Sequence, residues 1–119
     1  MEKVTGIGGV FFRARDPEVL SAWYRDHLGV QPIAEGLWTQ EAGGTVFAPF
    51  ERETDYFGRP EQQWMINFRV RDLDAMLAQL TSAGIPWETR AEWDTPETGR
   101  FARLHDPEGN PVELWQPPQ

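Results

Sequence analysis

The chain contains no cysteine, and this absence removes several kinds of chemistry at once. None of its 119 residues can form a disulfide, act as a thiol nucleophile or bind a metal through thiolate sulfur. Histidine is also scarce, at two residues, and the one lysine is Lys3. Nearly all of the positive charge is therefore carried by arginine, whose planar guanidinium suits a two-pronged grip on carboxylates.

Long hydrophobic runs are missing as well. No stretch has the length of a membrane span or of the apolar part of a signal peptide. The formal net charge is -8, which opposes binding to phosphate backbones and to anionic lipid. We therefore expect a cytoplasmic protein that binds neither nucleic acid nor membranes.

The length and composition favour one folded domain that spans residues 1–119. Single hydrophobic cores are commonly built from roughly 100 to 150 residues, so a second domain is not expected. A hydrophobic fraction of 39%, with 13% aromatic residues, is sufficient for a packed core.

A short internal repeat divides the chain into two halves. Phe12–Asp16 reads FRARD, and Phe68–Asp72 reads FRVRD. Apolar residues alternate through each copy, which predicts a strand with one buried face. The aspartate at the end of each copy is a favoured N-cap, and apolar residues at helical spacing follow it.

A strand-rich tail follows each predicted helix, so that each half reads as a βαβββ module. We predict an α+β fold with module 1 at about 4–50, a linker or flap at about 51–62, and module 2 at about 63–117. The two modules are expected to curve into an open eight-stranded cup with the helices outside. Edge strands need cover, so a homodimer is also expected. The predicted tail strands are 30–33, 37–40 and 45–50 in module 1 and 87–93, 100–105 and 111–115 in module 2.

Two stretches resemble glyoxalase-like proteins of the vicinal oxygen chelate superfamily, which includes bleomycin resistance proteins and extradiol dioxygenases. Gly6–Val30 has the strand, the Asp-Pro-Glu sequence and the helix with Trp-Tyr-Arg-Asp. Gly99–Trp115 has a phenylalanine-containing strand, an Asp-Pro-Glu-Gly-Asn turn and a Val-Glu-Leu strand. The resemblance covers nearly the whole chain, is weakest from Gln31 to Gln62, and implies the same cup fold without indicating one chemistry.

The resemblance also implies where metal ligands would lie. The histidine position of module 1 falls on Gly9, which cannot bind a metal, and that of module 2 falls on Met65, whose thioether suits Ni, Zn or Fe poorly. The one ligand position with a carboxylate is Glu113. We therefore expect no cofactor, with a divalent ion (Ni, Zn, Mn or Fe) bound through Glu113 as the alternative, and an extradiol dioxygenase is disfavoured.

Strand parity identifies the side chains that should point into the cup, because successive residues of a strand face opposite sides. Aromatic walls with a few polar groups suit a small organic ligand, and inward arginines indicate a carboxylate on it. The strand-end arginines could instead pair with acidic side chains. Glu113 is the candidate general base, or else the partner of an arginine. Phe50 is a further candidate for the aromatic walls. The predicted ligand-binding residues are Phe11, Arg13, Trp38, Phe47, Asn67, Arg69, Phe101, Arg103 and Trp115.

Three functions remain open at this point. The favoured one is a binding protein that sequesters an organic compound in an aromatic, arginine-containing cup. The alternative is a glyoxalase-like lyase or isomerase that uses a divalent metal held by Glu113. A noncatalytic interaction module is the third, and the sequence offers nothing for it beyond an acidic surface.

Overall fold

A computed structural model describes all residues, 1–119, and its regular elements are concentrated in the second half of the chain. Neither α-helix combines the length and apolar character needed to cross a bilayer. The elements are helix α1 (Pro17–Leu28), strand β1 (Ile66–Arg69), helix α2 (Leu73–Ser82), strand β2 (Arg100–His105) and strand β3 (Pro111–Gln116), with short 3-10 helices at Ile33–Glu35 and Ala91–Trp93.

Both helices begin at the aspartates of the repeat. The Asp16 carboxylate accepts the backbone N–H of Val19 at 3.2 Å, and the Asp72 carboxylate accepts that of Ala75 at 3.0 Å. Each bond satisfies one of the unpaired N–H groups of a first helical turn. Helix α1 ends at Gly29, whose φ of 72° lies in the left-handed region that favours glycine.

The sheet has three strands in the order β1-β3-β2. The central strand β3 is parallel to β1 and antiparallel to β2. The helices cover one face of this sheet, and alternate residues of β2 and β3 are buried there, as the apolar alternation predicts. The buried core consists of Leu20, Tyr24, Leu73, Leu77, Leu80, Ala102, Leu104, Val112 and Leu114.

The turn between β2 and β3 fastens helix α1 to the sheet. Asp106 is 4% exposed and accepts backbone N–H bonds from within the turn. Its other oxygen accepts the hydroxyl of Tyr24 at 2.7 Å. Glu108 accepts the backbone N–H groups of Arg15 and Asp16, which immediately precede α1. The turn thus holds the start and the middle of the first helix.

The structure contains three strands where the sequence predicts eight. The segments 4–14, 30–33, 37–40 and 45–50 form no strand, and residues 33–35 are a 3-10 helix instead. The predicted strand 87–93 is reduced to one bridge, in which Glu88 and Arg103 exchange backbone hydrogen bonds. A strand needs a neighbour for its N–H and C=O groups, and most of these segments find none within the chain.

The first half of the chain is therefore poorly covered. The radius of gyration is 15.0 Å, against about 13.5 Å for a typical compact domain of this length. Every exposed large hydrophobic side chain except Trp87 lies within the first 50 residues, and Phe11 and Phe47 are 94% and 87% exposed. Apolar surface of this extent is expected to have a partner.

Candidate ligand-binding site

The face of the sheet opposite the helices carries polar and aromatic side chains. Glu113 lies at the centre of β3, and the strand register places Asn67 on one side of it and Arg103 on the other. One pair further along, Phe101 and Trp115 stack with ring centroids 6.4 Å apart and planes 12° from parallel. This face joins a carboxylate, an amide and a guanidinium to an aromatic pair.

Glu113 is the organising residue of this face. It is 8% exposed, and burial of a carboxylate is costly unless its oxygens accept hydrogen bonds. One oxygen accepts the Asn67 side-chain amide at 2.8 Å. The other accepts a short hydrogen bond from the hydroxyl of Tyr56. Both oxygens of the carboxylate are therefore engaged by neutral donors.

Tyr56 belongs to a flap, residues 51–62, that folds over this face. All backbone hydrogen bonds of the flap lie within the flap. The one hydrogen bond between the flap and the sheet is the one that the Tyr56 hydroxyl donates. The Tyr56 ring also stacks on Phe50, with centroids 5.7 Å apart. Burial, then the hydrogen bond and charge of Glu113, raise the pKa of Tyr56 to about 12, although Arg103 acts in the opposite direction. The hydroxyl is therefore a protonated donor at neutral pH.

Arg103 lies directly beneath the flap. The carbon of its guanidinium is 4.4 Å from the ring centroid of Tyr56 and 5.8 Å from that of Trp93. Its Nε and Nη2 atoms are buried and have no hydrogen-bond partner. These two nitrogens form one edge of the guanidinium, whose parallel N–H groups match the two oxygens of a carboxylate. A buried donor without a partner destabilises the folded state, so an acceptor placed at this edge would be stabilising.

A cleft of about 300 Å³ opens beside these residues. Its walls are mainly aromatic, and one carboxylate and two hydroxyls provide the polar contacts. This volume is at the small end of the range for small-molecule sites. The lining residues are Phe50, Tyr56, Trp93, Thr98, Phe101 and Glu113.

The structure brings together the candidate residues of strands β1, β2 and β3, with one exception. Arg69 lies at the end of β1, and its guanidinium donates to the backbone carbonyls of Glu41, at 3.0 Å, and Ala42. It holds a loop of the first half and does not point to the cleft. The candidates that share the sheet face are Asn67, Phe101, Arg103, Glu113 and Trp115.

Four of the five candidate residues of the first half lie elsewhere. Phe11 and Arg13 line a different cavity, also of about 300 Å³, and Phe47 points to solvent. Trp38 contacts the ring of Phe68, 6.2 Å between centroids, next to the core. Within one chain, therefore, these four residues do not form walls of the cleft. Their segments have no strand neighbour that would hold them against the sheet.

Phe50 lines the cleft, and sequence reasoning missed three of its other residues: Tyr56, Trp93 and Thr98. Tyr56 makes the contact between the flap and the sheet. The available signal was an adjacent Tyr-Phe pair in an otherwise charged, glycine- and proline-containing segment. Trp93 lay within a predicted strand, which gave no reason to single it out.

The side chains present do not fit a divalent metal of the glyoxalase type. No three histidine, aspartate or glutamate side chains converge anywhere in the structure. Both oxygens of Glu113 are already bonded to Tyr56 and Asn67, and its antiparallel neighbour Arg103 is a cation that would repel another.

Comparison with known proteins identifies the family. Residues 9–115 match the family model described as "Glyoxalase-like domain". No curated protein sequence matches the chain.

Solved structures share the fold over nearly the full length. TnmS3, an antibiotic binding protein from Streptomyces sp. CB03234, has a TM-score of 0.61 at 23% identity, with 98% of this chain and 99% of that chain covered. A glyoxylase/bleomycin resistance protein/dioxygenase domain from Frankia sp. EAN1pec has a TM-score of 0.59 at 20% identity, with 97% and 99% covered. Lactoylglutathione lyase from Agrobacterium tumefaciens has a TM-score of 0.58 at 22% identity, with 97% and 96% covered.

Proposed function

Because the chain belongs to the glyoxalase-like domain family of the vicinal oxygen chelate superfamily, we propose that it binds a small aromatic compound in the cleft beside Glu113. Arg103 is proposed to receive a carboxylate or another anionic group of that compound. The observation that carries this proposal is the buried edge of Arg103, whose Nε and Nη2 atoms lack an acceptor. A ligand anion would supply the acceptor, once the flap gives it access.

The cleft supports a ligand of modest size. Phe50, Trp93 and Phe101 provide apolar walls, and about 300 Å³ suits a compound of one or two rings. The structural similarity to TnmS3, which is described as an antibiotic binding protein, agrees with a role in sequestering such a compound. We therefore place sequestration ahead of catalysis.

We further propose a cytoplasmic homodimer in which the eight-stranded cup is completed between two copies. The extended segments of the first half lack strand neighbours and expose their apolar side chains, which supports this assembly. The first-half candidates would then reach a cup only in the dimer. These are Phe11, Arg13, Trp38 and Phe47.

A lyase or isomerase that works with a metal on Glu113 is the rival function. The engaged carboxylate and the neighbouring Arg103 disfavour it. Metal analysis of the purified protein, with and without Glu113→Ala, tests this rival directly. Stoichiometric metal that the substitution removes would replace the binding proposal by an enzymatic one.

Calorimetric titration with benzoate and 2-naphthoate tests the binding proposal. We expect Arg103→Gln to weaken carboxylate binding about tenfold or more, because a charge-assisted pair of hydrogen bonds is lost. The same substitution should weaken the binding of benzamide, an uncharged amide, much less. Arg71→Gln is the matched control, since Arg71 is exposed and pairs with Glu41 away from the cleft. Equal carboxylate affinity in wild type and Arg103→Gln would contradict the proposal.

A further inference from the structure

Tyr56 is held in the way that a bound phenol would be held. Its hydroxyl donates to the buried carboxylate of Glu113, and its ring lies over the guanidinium of Arg103. The Phe50 ring stacks on it nearly parallel, at an angle of 21°. Carboxylate, cation and aromatic ring are the three contacts that a neutral phenol can use together.

The flap that carries Tyr56 is lightly attached. All of its backbone hydrogen bonds are internal, so its displacement would break no sheet or helix ladder. The Tyr56 hydroxyl is its one hydrogen bond to the sheet, and aromatic contacts with Phe50 accompany it. Segments with few bonds to the rest of a fold open at lower free energy than core elements.

The closed arrangement also leaves a polar group unsatisfied. The Nε and Nη2 atoms of Arg103 are buried next to Tyr56 without an acceptor. Buried donors in folded proteins nearly always have a hydrogen-bond partner, so a flap that only covered the sheet would be expected to provide an acceptor for these two nitrogens. Tyr56 therefore engages Glu113 but leaves the Nε–Nη2 edge of Arg103 without an acceptor, as an incomplete substitute for a ligand would.

We infer that the cleft recognises a phenolic group and that Tyr56 occupies the phenol position when no ligand is bound. The inference rests on the proposed binding function and narrows its ligand class to hydroxyaromatic compounds. Ligand and Tyr56 compete for Glu113, so the flap acts as an internal competitor. The measured affinity of wild type is the intrinsic affinity of the open cleft multiplied by the fraction of molecules in which the flap is open.

Calorimetric titration with p-cresol tests this inference, because p-cresol is the tyrosine side chain as a free molecule. We expect Tyr56→Ala to bind p-cresol at least tenfold more tightly than wild type. Toluene, which lacks the hydroxyl, should bind Tyr56→Ala at least tenfold more weakly than p-cresol, because it makes no bond to a charged acceptor. Tyr56→Phe should lie between wild type and Tyr56→Ala in p-cresol affinity.

Two outcomes would overturn the inference. One is equal p-cresol affinity in wild type, Tyr56→Phe and Tyr56→Ala, and the other is equal affinity of Tyr56→Ala for p-cresol and toluene. Cooperative thermal unfolding confirms that each variant is folded, and Tyr56→Phe carries the test if Tyr56→Ala is not. The failure of the proposed function is seen separately, because p-cresol has no anion and the benzoate titrations depend on Arg103.

Discussion

Gly99 lies at a position where a side chain has neither a suitable backbone conformation nor space. Its φ is +99°, and an added Cβ would overlap the backbone carbonyl oxygen of Gln116 at the end of β3. Gly109, in the β2–β3 turn, has a similar φ of +83° but open space around it. Substitution of Gly109 therefore measures the free-energy cost of the backbone conformation alone, and substitution of Gly99 measures that cost together with the cost of a steric clash.

We expect Gly109→Ala to lower the free energy of unfolding by about 1 kcal/mol, the cost of a left-handed conformation for a residue with a Cβ. Gly99→Ala should lower it by about 3 kcal/mol or more, because the backbone must also move. Urea denaturation of both variants measures these values. Equal losses would mean that the sheet end adjusts freely around Gly99.

Both tyrosines of the chain have raised pKa values, and each hydroxyl donates a hydrogen bond to one carboxylate. Burial, then the hydrogen bond and charge of Asp106, raise the pKa of Tyr24, and burial with Glu113 raises that of Tyr56 to about 12. The unfolded chain titrates near 10. Since the folded-state pKa values are higher, the stabilisation from both tyrosines is complete below about pH 10, and the part from Tyr56 is lost as pH rises through about 12.

Phenolate absorbance in a Tyr24→Phe background isolates Tyr56. We expect a midpoint near pH 12, and adding Glu113→Gln should lower it part of the way toward 10. The shift is incomplete because burial, the largest cause, remains. A midpoint unchanged by Glu113→Gln would show that the hydroxyl and the carboxylate are not bonded in solution, and would remove a premise of the phenol site.

At the scale of elements, the two helices depend on the same capping device. Asp72 accepts the backbone N–H of Ala75 at 3.0 Å, and Asp74, two residues later, points to Arg100 on the surface instead. We expect Asp72→Ala to lower the free energy of unfolding by about 1 kcal/mol. Asp74→Ala is the control and should change it by about 0.5 kcal/mol or less, because exposed ion pairs contribute little. Thermal or urea unfolding distinguishes the two; equal effects would argue against the cap.

Those elements were predictable because their signals are local. The caps at Asp16 and Asp72 and the turn at Asp106 are set by neighbouring residues. Strand parity likewise predicts that Asn67 and Glu113 share a face, since side chains alternate along a strand. The partners of the predicted first-half strands would be residues far away in the sequence or in another copy, and no local pattern specifies them. Tyr56 was missed for the same reason, because a flap has no periodicity from which to read its direction.

At the scale of the whole molecule, the two halves of the chain differ in how well they are covered. The core is built from α1, α2 and the three strands, whereas the exposed large apolar side chains are concentrated in the first 50 residues. A second copy would supply the missing strand neighbours through the same surfaces reciprocally, as expected for a two-fold symmetric pair. Burial of this surface would also bring the extended segments into a sheet.

Light scattering after size-exclusion chromatography tests the homodimer. We expect a mass of about twice the 13.7 kDa of the chain, with dissociation on dilution. Phe11→Asp should shift the mass toward that of one chain, since Phe11 is 94% exposed in the single chain and would be buried in the pair. Val19→Asp is the matched control, because Val19 is also exposed, at 59%, but lies on helix α1. A monomeric wild type would mean that the first half closes its cup within one chain or leaves it open.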